Sequence, residues 1–479
     1  MGTLRIVALV VLTALFHIEP STAQISGTRW KPIGPAPIGG FFPGGVSGRA
    51  TAIAVNPFNG DQVWLGTAQG GVWYTPDAGV TWYPMTDGMG ALAIGAIALA
   101  GCDATLCTKV FAGTGENAIR RDTYYGRGLL VGSYLNGSGP PTYVWFLRQG
   151  DATVDFNLGS INDVLFVPNP LGGLARILVT LSSGVTASAS ESTVTATESA
   201  VGGYGIYSST DDGVSWTKLN VAGAAGERPT DLEMASSSTL YAGYLGLGVF
   251  KSTDGGTCWC PLSPGIPLPG GCSAATGVPD ATATPFDHVE LALYDADPSI
   301  VYASFGHCPD QLIKNCVPSL YKSVNGGATW ALQYSGTANP QGTWTSEPQG
   351  YSRYTHALSV FPGNDSVIYM GGMRLWRSTS SGVSFGTFDQ NIAPGSSIYG
   401  DILHLDHREV VWDPSNLNRL YNTNDGGFAM TLGAGWIPRN KGLQITGFHS
   451  LTASPLTDRV IGGTQDNSAA MWTGSKTWT

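Results

Sequence analysis

The sequence predicts an all-β propeller, a ring of four-stranded antiparallel blades. Three observations carry that expectation: a repeated turn, a constant order of strands ahead of it, and a composition rich in turns and aromatic residues without helical periods. The turn runs from Ser209 to Trp216 around Asp211 and Gly213, and from Ser252 to Trp259 around Asp254 and Gly256. It recurs from Ser323 to Trp330 around Asn325 and Gly327, and from Thr75 to Trp82 around Asp77 and Gly79. Worn copies end at Trp145, Phe385, Trp436 and Trp478, so eight repeats are visible. Their spacing of roughly 42 to 71 residues matches one propeller blade plus its loop insertions.

Ahead of each turn comes an apolar strand, a turn containing Pro or Asp, a second strand ending in Gly, and a third aromatic strand. In the first unit these are Ala50–Val55, Asn56–Asp61, Gln62–Thr67 and Gly71–Tyr74. Short apolar runs bounded by Gly, Pro, Asn and Asp read as antiparallel meanders. No stretch keeps a 3.6-residue period between caps, so helix is not expected. A lone meander leaves both faces wet, whereas a ring buries each face against a neighbour. The ring is expected to hold about 7–10 blades. Trp30–Ile33 and Lys476–Thr479 compete for one outer-strand position, which implies either an eight-bladed ring with a redundant end or a chain cut short of further blades.

Composition agrees, with 66 Gly, 29 Pro, 14 Trp and only 12% charged residues. Residues 1–23 read as a signal peptide: Arg5, an apolar run from Ile6 to Phe16, then Ser21-Thr22-Ala23 before Gln24, leaving 24–479 as the propeller. No later stretch is long enough to span a bilayer. Secretion to an extracellular or periplasmic space follows. Cysteines fit an oxidising destination, with Cys102–Cys107, Cys308–Cys316, and Cys272 joined to Cys258 or Cys260 as the expected disulfides. A net charge of −10 without a basic cluster argues against nucleic acid and anionic membranes. The polar low-complexity run 187–199 reads as a loop inserted in the third blade.

The repeated turn resembles the Asp-box, the bacterial neuraminidase repeat of sialidases, xyloglucan-cleaving glycoside hydrolases and the sortilin ectodomain. The flanking units, such as Gly66–Trp73, are most similar to the sortilin-like and xyloglucanase-like branch, and the likeness covers nearly the whole chain after residue 23. Asp77, Asp211, Asp254 and Asn325 are then structural: a carboxylate or amide oxygen accepting turn amides, a Gly at positive φ, and a Trp packed between blades. The resemblance implies glycan chemistry as one function and protein or peptide binding as another. Sialidase activity is not expected, because the Arg-Ile-Pro sequence of sialidases is absent. In xyloglucanases one catalytic carboxylate lies in an Arg-Thr-Asp-x-Gly-Gly motif; the matching Gly66–Gly71 has Ala68 in its place, and the copy Asn422–Gly427 carries Asn424 there and Asp425 one residue later.

Propeller loops converge on the face holding the start of each inner strand and the turn between second and third strands. Scarce charges and histidines gather there. Arg49, Arg353, His356, Arg374, His404, Asp406, His407 and Arg408 are the candidate ligand-binding residues. An extended strand would put His404 and Asp406 on one face and His407 on the other. Glu116, Asp425 and Asp466, on homologous turns, are the candidate catalytic carboxylates. Neither a metal site nor a cofactor is assigned. The expected activity is binding of an extracellular glycan or peptide at the central face, with a polysaccharide hydrolase and a sortilin-like interaction scaffold as alternatives.

Overall fold

The computed structural model describes residues 24–25, 28–29 and 32–479 apart from 41–43, 119–122, 137–139, 170–173, 184–202, 281–285, 308–316, 337–353, 390–402, 434 and 458. The expected signal peptide, the 187–199 loop, Arg353 and the Cys308–Cys316 pair lie outside those residues. Every regular element among the described residues is a strand. Seven four-stranded antiparallel sheets follow one another along the chain, each built from contiguous sequence. Their first strands are Ala50–Asn56, Ile94–Cys102, Gly159–Val167, Pro229–Met234, Val289–Leu293, Ala357–Val360 and His407–Trp412, for blades 1 to 7. Each packs on the next, and that of blade 7 packs on that of blade 1, so the ring closes at seven blades.

The repeated turns hold their blades by one local mechanism. In blade 3, Asp211 accepts the Ser215 amide at 2.9 Å and the Ser215 hydroxyl at 2.6 Å, while Ser209 Oγ accepts the Gly213 amide at 2.9 Å. Gly213 has φ of 77°, which a side chain would strain. Trp216 then turns inward, its indole donating to Gly213 O at 3.0 Å. Asn325 reproduces the pattern with its amide oxygen, 2.9 Å from Thr329 N. The apolar core lies between blades: Leu178, Leu240 and Phe250 surround Trp259, for example.

Closure uses no shared sheet. The seam of blades 7 and 1 is held by Tyr421, Phe428 and Met430 packed on Trp73 and Trp82. Side chains add to it. Ile53 N donates to Glu409 Oε2 at 2.7 Å, Trp82 Nε1 to Arg439 O at 2.7 Å, and Arg419 pairs with Asp61 at 2.6 Å. Asp163 and Asp231 likewise accept the amides of Leu232 and Leu291 on the following blades, both at 2.7 Å.

An eighth sheet of three strands, Phe448–Ala453, Val460–Thr464 and Ala469–Trp472, stands outside the ring. Seven blades lie within the expected range of about 7–10, and of the two alternatives for the chain's ends the eight-bladed ring is not the one found. Thr479 pairs with Met471 at that sheet's edge, so the C-terminal segment takes the outer position there, and Ile38 pairs in parallel with Trp478; Trp30 and Lys31 of the competing segment lie outside the described residues. Gln24–Ile25 and Thr28–Arg29 form a separate two-stranded sheet. Disulfides join Cys102 to Cys107 and Cys260 to Cys272, which settles the partner of Cys272 and leaves Cys258 free and exposed.

Candidate functional site

Glu116, Asp425 and Asp466 come from three different sheets, each just after a second strand, and they meet at one mouth of the ring. The eighth sheet makes this possible. Its turn at Gln465–Asn467 lies across blade 7, with Asn467 Nδ2 donating to Asp425 O at 3.1 Å and His404 Nε2 within 3.1 Å of Asp466 O. Arg49 precedes the inner strand of blade 1. Arg408 sits on a bulge in the inner strand of blade 7, where pairing skips from His407 to Glu409. A bulge re-aims its side chain, here into the mouth.

Two arginines and Tyr354 organise the cluster. Arg49 Nη1 pairs with Glu116 Oε1 at 2.6 Å, and its Nε lies 3.7 Å from Asp425. Arg408 Nε donates to Asp425 Oδ1 at 3.2 Å and Nη1 to Tyr354 O at 2.8 Å, with its guanidinium 3.6 Å from the centre of the Tyr354 ring. The Tyr354 hydroxyl donates to Asp425 Oδ2, and Tyr124 N donates to Glu116 Oε2 at 2.8 Å. Glu116 and Asp425 are buried, whereas the Asp466 side chain is 39% exposed and 4.0 Å from Arg49.

These surroundings set the carboxyls apart. Burial alone would raise Asp425, but Arg408 and Arg49 outweigh it and hold the carboxyl below its usual range. Burial and the neighbouring Asp425 charge raise Asp466. Burial and Asp425 push Asp406 up to about 6, against the pull of Arg408 and His404. A carboxyl raised in the fold favours folding when protonated and opposes it once pH climbs through the folded value. Asp406→Asn is therefore expected to stabilise the protein above pH 6 by about 2 kcal/mol, allowing for partial solvent screening, with the gain gone below about pH 4. Thermal unfolding of the two proteins across that range measures it. Equal stabilities at pH 8 would refute the expectation.

Other candidates fall elsewhere. His404 and Asp406 precede the inner strand of blade 7, which begins at His407, and Asp406 has φ of 62°. Strand alternation therefore does not relate them, contrary to expectation. Asp406 stays beside Asp425 and Asp466 through a bend instead. His407 is fully buried, 2.9 Å from Asn422 Oδ1 and 3.7 Å from Asp389, and Arg374 Nε pairs with Asp389 at 3.3 Å. Both belong to a buried cluster around Asp389 between blades 6 and 7. His356 lines the axial cavity, 2.7 Å from Ser304 Oγ. Arg49 and Arg408 are at the mouth but are spent on internal carboxylates. Tyr354 and Asp389 escaped sequence reasoning; the one signal for Tyr354 was its place between two candidates, Arg353 and His356.

The fold is that of a β-propeller. No known family pattern matches the sequence, and no curated protein matches it. Among solved structures it is similar to a GH74 enzyme of Niastella koreensis, with TM-score 0.57, 16% identity, and coverage of 93% of this chain and 61% of that one. It is similar to the GH74 xyloglucanase of Xanthomonas campestris at TM-score 0.57 and 16% identity over 89% of this chain and 59% of that one. An ancestral GH74 enzyme gives TM-score 0.59 and 16% identity over 91% and 55%. The chain thus spans about three-fifths of the length of these neighbours.

Proposed function

We propose that this protein is an exported propeller of the Asp-box type that binds a glycan at the mouth where the eighth sheet meets the ring, with Asp466 as the contact carboxyl. One observation carries the reading: of three carboxyls that converge there, Glu116 and Asp425 are consumed by Arg49 and Arg408, and Asp466 alone is open. A carboxyl on a partly covered surface accepts hydrogen bonds from sugar hydroxyls without needing a charged ligand. Structural neighbours of this fold include a xyloglucanase, which agrees with a glycan as ligand. Two disulfides agree with export through the 1–23 segment.

Hydrolysis is the second reading, favoured by the opposite shifts of Asp425 and Asp466, the pattern of an acid and its ionised partner. Its weakness is spacing. A glycosidase pair stands roughly 5–9.5 Å apart around the scissile bond, whereas these two crowd one guanidinium, 3.7 Å and 4.0 Å from Arg49. Ala68 also fills the place of the aspartate in the xyloglucanase motif.

The test is a polysaccharide binding screen run beside a reducing-end assay, on the wild type and Asp466→Asn. A charge-assisted hydrogen bond is worth about 1.5–3 kcal/mol, so affinity is expected to fall about 10- to 100-fold with the fold unchanged. Reducing ends lost in the variant would establish the hydrolase instead. Unchanged affinity in the variant would remove the mouth as the site.

A further inference from the structure

Six of the seven blades end in a short outer strand. Those strands run from two to five residues, and Pro84, Pro261 and Pro438 stand in three of them. The five-residue one, Ala331–Ser335, is broken by a bulge. Short length, proline and bulges are the means by which sheet edges avoid pairing with a further chain. Blade 2 is different. There the repeated turn is worn, and the outer strand Thr142–Arg148 runs for seven residues without proline, in unbroken register from Tyr143 to Arg148. Among the described residues nothing pairs with its outer edge.

The two faces of this strand differ. Tyr143, Trp145 and Leu147 pack into the core shared with blade 1, while Val144 and Phe146 on the other face are 39% and 46% exposed. Its single charge is terminal: Arg148 Nε donates to Asp212 O at 3.3 Å, and the guanidinium lies 5.1 Å from the centre of the Phe146 ring. From Thr142 to Leu147 the edge is uncharged, in a protein of net charge −10. What fits such an edge can be read from its own sequence. A two-fold axis through Trp145 lays the strand antiparallel to a copy of itself with every position opposed. A shift of two residues, the smallest that keeps the faces matched, leaves two residues of each strand without an opposite. In the centred register Val144 faces Phe146 of the second copy, and Phe146 faces its Val144, a favourable β-branched and aromatic pair made twice. Thr142 faces Arg148 of the second copy. The two arginines then stand about 20 Å apart along the strands, so their repulsion is screened.

We propose that the outer edge of blade 2 is a self-association surface, at which a second copy of this chain adds its own Thr142–Arg148 strand and joins the two blades into one continuous sheet. Backbone hydrogen bonds supply the attraction, and the opposed Val144 and Phe146 side chains set the register. The contact uses the same patch on both copies, so association closes at two chains. One strand pair covers far less than the roughly 1,600 Å² of a standard interface, and the dimer is therefore weak and concentration-dependent.

The experiment is sedimentation velocity from micromolar to millimolar protein. The wild type is expected to pass from one chain to two as concentration rises. In Val144→Lys/Phe146→Lys like charges oppose each other twice, and the dissociation constant should rise at least about 100-fold. Val144→Glu/Phe146→Glu should behave alike. Both side chains are more than a third exposed, so each variant is expected to keep the wild-type Tm. An equimolar mixture of the two variants should dimerise again, because every lysine then meets a glutamate across the axis; a misfolded variant would not be rescued in this way. A wild type that stays a single chain at every concentration, variants that dimerise as the wild type does, a mixture that stays monomeric, or a dimer lost in Leu451→Lys of the eighth sheet would each overturn the proposal.

Discussion

Arg408→Met is expected to destabilise the protein by about 3–5 kcal/mol, the cost of leaving a buried carboxylate without its cation. Arg408 is 3% exposed, binds Asp425 at 3.2 Å and the Tyr354 carbonyl at 2.8 Å, and covers the Tyr354 ring. Methionine fills part of the volume and none of the charge. Lysine is expected to rescue poorly, because a point charge neither stacks on the ring nor spans two acceptors. Arg408→Met with Asp425→Leu should recover part of the loss, since replacing both partners removes the orphaned charge. Urea denaturation of the wild type, Arg408→Met, Asp425→Leu and the double variant closes a double-mutant cycle. A loss under 1 kcal/mol in Arg408→Met would mean that Arg49 alone suffices for Asp425.

Trp259→Ala is the second large effect, at about 3–5 kcal/mol for a buried aromatic cut to a methyl. The indole is 2% exposed, donates to Gly256 O at 3.0 Å, and is surrounded by side chains of blades 3 and 4. A cavity there loosens two blades at once. Val214 occupies the copy of the turn in blade 3 but is 53% exposed, so Val214→Ser should stay within about 0.5 kcal/mol. Near-equal losses in the two variants, read as shifts in the denaturation midpoint, would show that the turn tryptophan does not join blades.

The blades were legible in the sequence because the turn is a local device: Ser209, Asp211, Gly213 and Ser215 satisfy one another within seven residues. Convergence of Glu116, Asp425 and Asp466 was legible for a related reason, since homologous turns in a propeller open on one face. Which of them is open was not. That depends on the eighth sheet lying across blade 7 and on arginines reaching from blades 1 and 7, contacts between residues on different sheets, 42 positions apart for Asn467 with Asp425 and 67 for Arg49 with Glu116. The ring size was hidden too, because the tilt between blades that decides closure has no local spelling. His404 and Asp406 misled for a smaller reason: a positive φ at Asp406 breaks the strand on which alternation was assumed.

The seam between blades 7 and 1 has a consequence for how the chain reaches its fold. Every other blade docks on a neighbour adjacent in sequence, so six of the seven junctions can form progressively as the chain emerges. The last must bring Ile53 to Glu409 across 356 residues of separation, and the loop-closure entropy of that step is offset by inter-blade packing and scattered hydrogen bonds rather than by a shared sheet. Contacts that form after the rate-limiting transition state act on the unfolding rate alone, and the seam is expected to be of this kind. Weakening the seam therefore speeds unfolding and leaves the folding rate nearly untouched, making this one junction the governor of the protein's lifetime in the folded state.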